Sequence, residues 1–509
     1  MRVGKVFYDN VIFKIMKKRM GGTPLLPMNI IILSALLIGG CRGNDPVAKP
    51  ALNTDYSIID GDTIKTVVFK DYKILKDKDP NGKNYITVGD TIVLYKEPKL
   101  HTPPSKDPDL SKLKNNDDPD LKGKPLRYVA IGGSLTAGVR DGGYFNEGIL
   151  TSYPNLIARQ MKLKKFEQPL FDATDYNGFG RKVQTGFNPT GGKVPKLNAI
   201  SNNLSITISG TDFNFKKVKT VVDNFAIPNG RYHSQGVEGA FYRDLKYQNG
   251  ILKKYSERFL TNGAGSELLN QKFDIMTFEF GINDVLDYIL KGTDYMRSSG
   301  LENSYLESDL WFDLLSKKKT LGIILNVPDV LDFPYFTQIS YDDVFGGIPN
   351  DYIESDAGRI FKDKRKNSTD IIFLPNSRVD SLSSVKVHPA LKVGLDNKSL
   401  LLGNNFLIKQ EIADIRNAPI KLNAELERYS KKVNFRMVDL YSMYKKINDG
   451  SFVTDDGVRV NSKNFFSIDG INPTAFGQAV VANEVIKTLN QNYKSEIPLI
   501  KTSEYLEVK

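Results

Sequence analysis

The stretch Tyr128-Val-Ala-Ile-Gly-Gly-Ser-Leu-Thr-Ala-Gly138 decides the fold. An apolar run passes straight into two glycines, and a serine follows. Unbroken apolar character without polar alternation marks a strand buried on both faces, as in parallel sheets. The glycines permit a tight turn, and Ser-Leu-Thr-Ala reads as the start of a helix. A strand, a turn and a helix N-terminus put Ser134 at the carboxyl edge of a sheet, where open α/β sheets bind ligands.

The pattern continues outward from this point. Strands are expected over Arg127–Gly132, Val218–Asp223, Ile275–Phe280, Thr320–Leu325 and Phe435–Asp439. Helices are expected over Tyr153–Lys162, Asp284–Leu290, Ile408–Arg416, Ala424–Lys432 and Pro473–Asn490. Strands alternating with helices imply right-handed βαβ units. The expected fold class is α/β: a flavodoxin-like three-layer α/β/α sandwich on a parallel sheet of about five strands. This domain is placed at 126–495. Two stretches, 165–216 and 338–405, are long for loops and read as insertions over the ligand-binding edge. Residues 496–509 read as a C-terminal tail.

The N-terminal quarter differs in character. Ile30-Ile-Ile-Leu-Ser-Ala-Leu-Leu-Ile-Gly-Gly40 is too short to span a bilayer but has the length of a signal-peptide core. Cys41, the chain's one cysteine, follows it directly. Ile38-Gly-Gly-Cys41 resembles the lipobox of bacterial lipoproteins. That resemblance implies a signal peptide over 1–40, lipid on Cys41, and a membrane tether with more than one acyl chain. Met16 and Met20 are alternative starts. Residues 41–100 read as a tether with a β-hairpin, carried by Thr63–Phe69 and Tyr85–Tyr95. Residues 101–125, rich in Pro, Asp and Lys, read as a linker. The chain has 509 residues and a net charge of +11. Arg2, Lys5, Lys14, Lys17, Lys18 and Arg19 against Asp9 alone account for +5 of it. The remaining excess is mild and scattered, which argues against nucleic acid as a partner.

Later blocks answer the serine turn. Gly281-Ile-Asn-Asp284 follows the expected strand Ile275–Phe280, and Asn224-Phe-Ala-Ile-Pro-Asn-Gly230 follows the expected second strand. Asp469-Gly-Ile-Asn-Pro-Thr474 precedes the last helix. Each has an ordinary structural explanation. Ser134, Asn283 and Asn472 are all good helix N-caps, and Pro-Asn-Gly is a common turn. Pro473 after Asn472 would suit the first helical position. Together the blocks resemble those of the SGNH or GDSL ester hydrolases, in particular the outer-membrane lipoprotein members from Bacteroidetes. Further phrases of that group are Asp141-Gly-Gly143, Ser152-Tyr-Pro-Asn-Leu-Ile-Ala158, Asn326-Val-Pro-Asp329, Phe333-Pro-Tyr-Phe-Thr337 and Phe476–Glu484.

The resemblance implies roles. Ser134 is the nucleophile. Its backbone N–H, the backbone at Asn229 or Gly230, and the side-chain amide of Asn283 form the oxyanion hole. Asp469 orients a general base. Two positions depart from the family pattern. Gly133 stands where the motif has aspartate. Asn472 stands where it has the general-base histidine, and an amide takes no proton near neutral pH. Three histidines exist: His101, His233 and His388. Of these, His233 and His388 are alternative bases by position. Asp469 alone is too acidic to serve well.

Two classes of function remain open from the residues. One is an ester hydrolase acting on an ester-bearing small molecule, a lipid or an acylated glycan, impaired by Asn472. The other is an inactive relative that binds such a ligand or joins an envelope protein assembly. No cofactor is implied. Asp439 and Asp469 are isolated, and no His or Cys cluster suits zinc.

Overall fold

The computed structural model describes residues 104–506 apart from 105, 188–192, 210–211, 219, 233–249, 292–304, 346–354, 357–358, 361–370 and 376–405. Nearer the N-terminus it describes the backbone of strands at 56–59, 62–65, 73–74, 84–88 and 91–95. Cys41 and the expected signal peptide over 1–40, and His101, His233 and His388, lie outside the described residues. The chain divides into two units, residues 1–95 and 96–509.

In the first unit, Tyr56–Ile59 pairs antiparallel with Asp62–Lys65. Lys73–Ile74, Asn84–Val88 and Thr91–Tyr95 form a three-stranded antiparallel sheet. Val88 pairs with Thr91, so the expected 85–95 strand folds back on itself as a hairpin.

The second unit is built on a four-stranded parallel sheet. Its strands are β1 (Tyr128–Gly132), β2 (Ile275–Glu279), β3 (Leu321–Leu325) and β4 (Arg436–Val438), in the order β4-β3-β2-β1. Every residue of β1 and β2 is buried, as their continuous apolar sequence requires. The helices that position the site are α1 (Ser134–Ala137), α2 (Tyr153–Gln160), α3 (Ile282–Lys291), α4 (Tyr305–Ser316), α5 (Lys409–Val433), α6 (Leu440–Asn448) and α7 (Ala475–Tyr493). α7 packs on α2 and against β3 and β4, while α5 packs on α3, α4 and β4. A parallel sheet flanked by helices in this way is compatible with a three-layer α/β/α sandwich.

The fifth strand is not a full strand. Instead, residues 223–227 run parallel beside β1. Ala130 N donates to Asp223 O at 2.9 Å, Phe225 N to Ala130 O at 2.7 Å and Ile227 N to Gly132 O at 3.0 Å. The pairing therefore starts where Val218–Asp223 was expected to end. Val221, in that expected strand, is 61% exposed. Pro228 has no N–H to continue the ladder, and Asn229 turns left-handed at φ +58°. This contact extends the sheet in the order that a doubly wound fold would show, with the second segment outside the first.

A second difference concerns α5. The expected helices Ile408–Arg416 and Ala424–Lys432 are a single helix, which runs through Pro419. Ile415, Ala418, Pro419, Leu422 and Leu426 are all buried on it. Tertiary packing of that face outweighs the loss of one backbone bond. The final residues are not loose either. Ile497, Ile500, Thr502 and Tyr505 are buried, and Asn483 of α7 bonds both N and O of Ile500, at 2.8 and 2.9 Å. In the first insertion, Lys182–Phe187 pairs with Pro195–Ala199, and Ile206–Ser209 with Asp212–Phe215.

Candidate active site

β1 ends in two glycines because nothing larger fits. A Cβ on Gly133 would lie 2.3 Å from Asn283 Oδ1 and 2.8 Å from Gly230 O. The aspartate of the family motif therefore has no room here. The turn delivers Ser134 to the first position of α1, only 5% exposed.

Three other segments converge on this serine. β2 ends at Glu279 and leads through Gly281 into α3, which carries Asn283 and Asp284. The 223–227 segment ends in the turn at Asn229. Asn283 Nδ2 donates to Ser134 Oγ at 3.1 Å, and Asn229 N donates to the same oxygen at 2.9 Å. Ser134 Oγ in turn donates to Asn229 Oδ1 at 3.1 Å. The hydroxyl is thus held entirely by amides.

One expected donor is already engaged. Ser134 N gives its hydrogen to Asn283 Oδ1 at 2.9 Å, so in this arrangement it does not line an oxyanion hole. Asn283 faces the serine with both ends of its amide, and this explains the change. Between Asn229 and Gly230, the geometry separates the roles. Asn229 supplies its N–H to Oγ, whereas Gly230 N closes a turn onto Ile227 O at 2.8 Å.

The loop carrying Asn229 is tied to α3. Tyr232 N donates to Asp284 Oδ2 at 2.8 Å, and Arg231 forms an ion pair with Asp287. Asp284 therefore fixes the segment that places Asn229. Sequence reading gave it no role beyond opening the expected helix Asp284–Leu290.

Asp469 and Asn472 sit in the loop before α7, but Asn472 is not the helix cap. Thr474 is the N-cap and accepts from Gly477 N at 3.0 Å. Asn472 instead donates Nδ2 to Asp469 Oδ2 at 2.8 Å. The same carboxylate accepts Gly142 N at 2.8 Å, Ile471 N at 2.9 Å and Asn472 N at 2.8 Å. Asp141 N also reaches this loop, at Ser467 Oγ, 3.0 Å away. Asp469 is thereby joined to the segment that leaves α1. Asn472 makes no hydrogen bond to Ser134.

Behind the turn lies a carboxylate that sequence reading passed over. Glu279 is 1% exposed, and its Oε2 accepts Thr136 Oγ1 at 2.9 Å and the N–H groups of Gly133 and Thr136 at 3.2 Å each. Burial, reinforced by the neighbouring Asp284, pushes its pKa up to about 7. The signal was present: one acid in the buried strand Ile-Met-Thr-Phe-Glu.

Among the described residues no group of His, Cys, Asp and Glu could hold a metal ion, and no helix is long and apolar enough to cross a membrane. Comparison with protein-family models, with curated proteins and with solved structures finds no match.

Proposed function

We propose that this protein is a lipid-anchored serine ester hydrolase of the SGNH type, with weak turnover. The observation that carries the reading is the convergence of Asn229 N and Asn283 Nδ2 on Ser134 Oγ at the carboxyl edge of the sheet. In this reading Ser134 Oγ attacks the carbonyl carbon of an ester and the alcohol leaves. Water then releases the acid from the acyl-serine. Asn283 Nδ2 and Asn229 N, freed from the hydroxyl as it bonds to carbon, stabilise the charge on the carbonyl oxygen. Turnover is weak because the serine proton faces an amide oxygen, Asn229 Oδ1, which does not act as a base. An oxyanion site without its base still retains roughly 10³–10⁴-fold over water. The substrate class is an ester-bearing lipid or acylated glycan at the outer membrane, where lipid on Cys41 holds the protein.

Hydrolysis of p-nitrophenyl acetate tests this. Wild type is expected to exceed the buffer rate, and Ser134→Ala to return to it. A second reading rests on one observation: Asn472 occupies Asp469 in the way an orienting pair would, but without a base. That arrangement suits a protein that binds an acylated ligand and does not cleave it. Tight binding of an ester that survives prolonged incubation with wild type would favour it.

A further inference from the structure

Glu279 is the buried ionisable group nearest the serine turn that the proposed chemistry does not use. Its two oxygens differ. Oε2 accepts three hydrogen bonds, from Gly133 N, Thr136 N and Thr136 Oγ1. Oε1 is buried without a hydrogen-bond partner. The donors come from both sides of Ser134 in sequence, so the carboxylate clasps the turn that holds the serine. Glu279 O adds a fourth bond, from Gly133 N at 3.0 Å.

Among the described residues no cation bonds either carboxylate oxygen. Asp284, from α3, adds negative charge. Tyr153 of α2 and Tyr444 of α6 face the same group, and burial raises both phenols so that they stay neutral. Tyr153 OH reaches Thr136 Oγ1 at 2.9 Å, which extends the network to α2. A carboxylate in this place is a strong acceptor for the turn, but it carries an orphaned oxygen and an unpaired charge. Proton gain on Oε1 removes the charge and weakens Oε2 as an acceptor.

We propose that Glu279 is a positioning residue for Ser134, a latch that holds the serine turn firmly when ionised and loosely when protonated. This rests on the reading of Ser134 as the nucleophile only for its effect on reactivity, not for the latch itself. The ionised latch keeps Ser134 Oγ against Asn229 and Asn283. The protonated latch lets the Gly133–Thr136 backbone relax away from β2. The pKa of Glu279, raised to about 7, puts the change near neutral pH.

The test compares wild type and Glu279→Gln from pH 5 to 9 in three ways. These are the rate of Ser134 labelling by a fluorophosphonate, the melting temperature, and hydrogen exchange of the peptide covering 130–138. In wild type, labelling should rise by about tenfold through pH 7 as the charge-assisted bonds form. The protection factor at 130–138, which corrects for the base-catalysed rise of intrinsic exchange, should increase over the same range. Melting temperature should move the other way. A carboxyl raised in the folded state contributes stability below its unfolded pKa, and this is lost as pH rises through 7. In Glu279→Gln all three inflections should vanish, with exchange at 130–138 fast throughout. If Glu279→Gln keeps the wild-type inflections, the latch is wrong. Should the glutamine variant misfold, Glu279→Asp provides the check. Its shorter side chain must speed exchange at 130–138, and wild-type exchange there overturns the proposal. Absence of labelling in wild type, with the exchange and stability differences intact, supports the latch and overturns Ser134 as a nucleophile.

Discussion

Asn472 gives its side-chain amide to Asp469 Oδ2 at 2.8 Å and makes no bond to Ser134. The carboxylate is thus fully occupied, with backbone donors at Gly142, Ile471 and Asn472 as well. A ring N–H at position 472 could make the same bond that the amide makes now. The serine meanwhile has two converging donors and, among the described residues, no base bonded to it.

That relationship leads to a gain of function. Asn472→His should raise the rate of p-nitrophenyl acetate hydrolysis by at least about tenfold, out of the roughly 10²–10⁴ that a positioned base contributes. The double variant with Ser134→Ala must lose the gain. A folded Asn472→His protein with an unchanged rate would show that the imidazole cannot reach Ser134 from this loop.

Asn283 holds Ser134 at two points, Oγ and the backbone N. Asn283→Ala should cut esterase activity or phosphonate labelling by about 10²–10³, the loss seen when one oxyanion donor is removed. Asn283→Asp should not rescue it, since a carboxylate offers no N–H. Rates measured with burst and steady-state assays would check both.

Placing at position 133 the aspartate that the SGNH motif carries should harm this protein. In Gly133→Asp the new Cβ meets Asn283 Oδ1 at 2.3 Å and the Gly230 backbone at 2.8 Å. The backbone contact cannot be relieved by a rotamer change. A lower melting temperature is expected, with a destabilisation of about 1–3 kcal/mol from overpacking, and reduced labelling of Ser134. Unchanged stability would mean that the 229–232 loop moves more freely than its bonds to α3 suggest.

The N-terminal reading gives an independent prediction. Cys41→Ser should release the protein from the membrane fraction or leave it unprocessed, as read by fractionation and mass spectrometry. Soluble wild-type protein still carrying residues 30–40 would contradict the lipid anchor.

Much of the architecture was legible because buried parallel strands are short apolar runs that end in glycine turns. Both Tyr128–Gly132 and Ile275–Glu279 show this, and each leads to a site residue. The edge segment was placed several residues early, since only the 223–227 backbone pairs and the flanking Val221 faces solvent. The expected helices on either side of Pro419 are one, because the buried face that joins them is revealed only by the fold. Asn472 looked like a cap because Asn-Pro commonly opens helices, whereas Thr474 takes that role two residues later. The engagement of Ser134 N by Asn283, and the role of Glu279, depend on side chains meeting across 149 and 143–146 residues of sequence. No spacing rule reports such contacts.

The most direct measurement for the central claim is peptide mapping of the protein after treatment with a fluorophosphonate. One adduct is expected, on Ser134, absent after heat denaturation and absent in Ser134→Ala. An unlabelled protein, or an adduct on another serine with Ser134 intact, would contradict the reading of Ser134 as a reactive nucleophile.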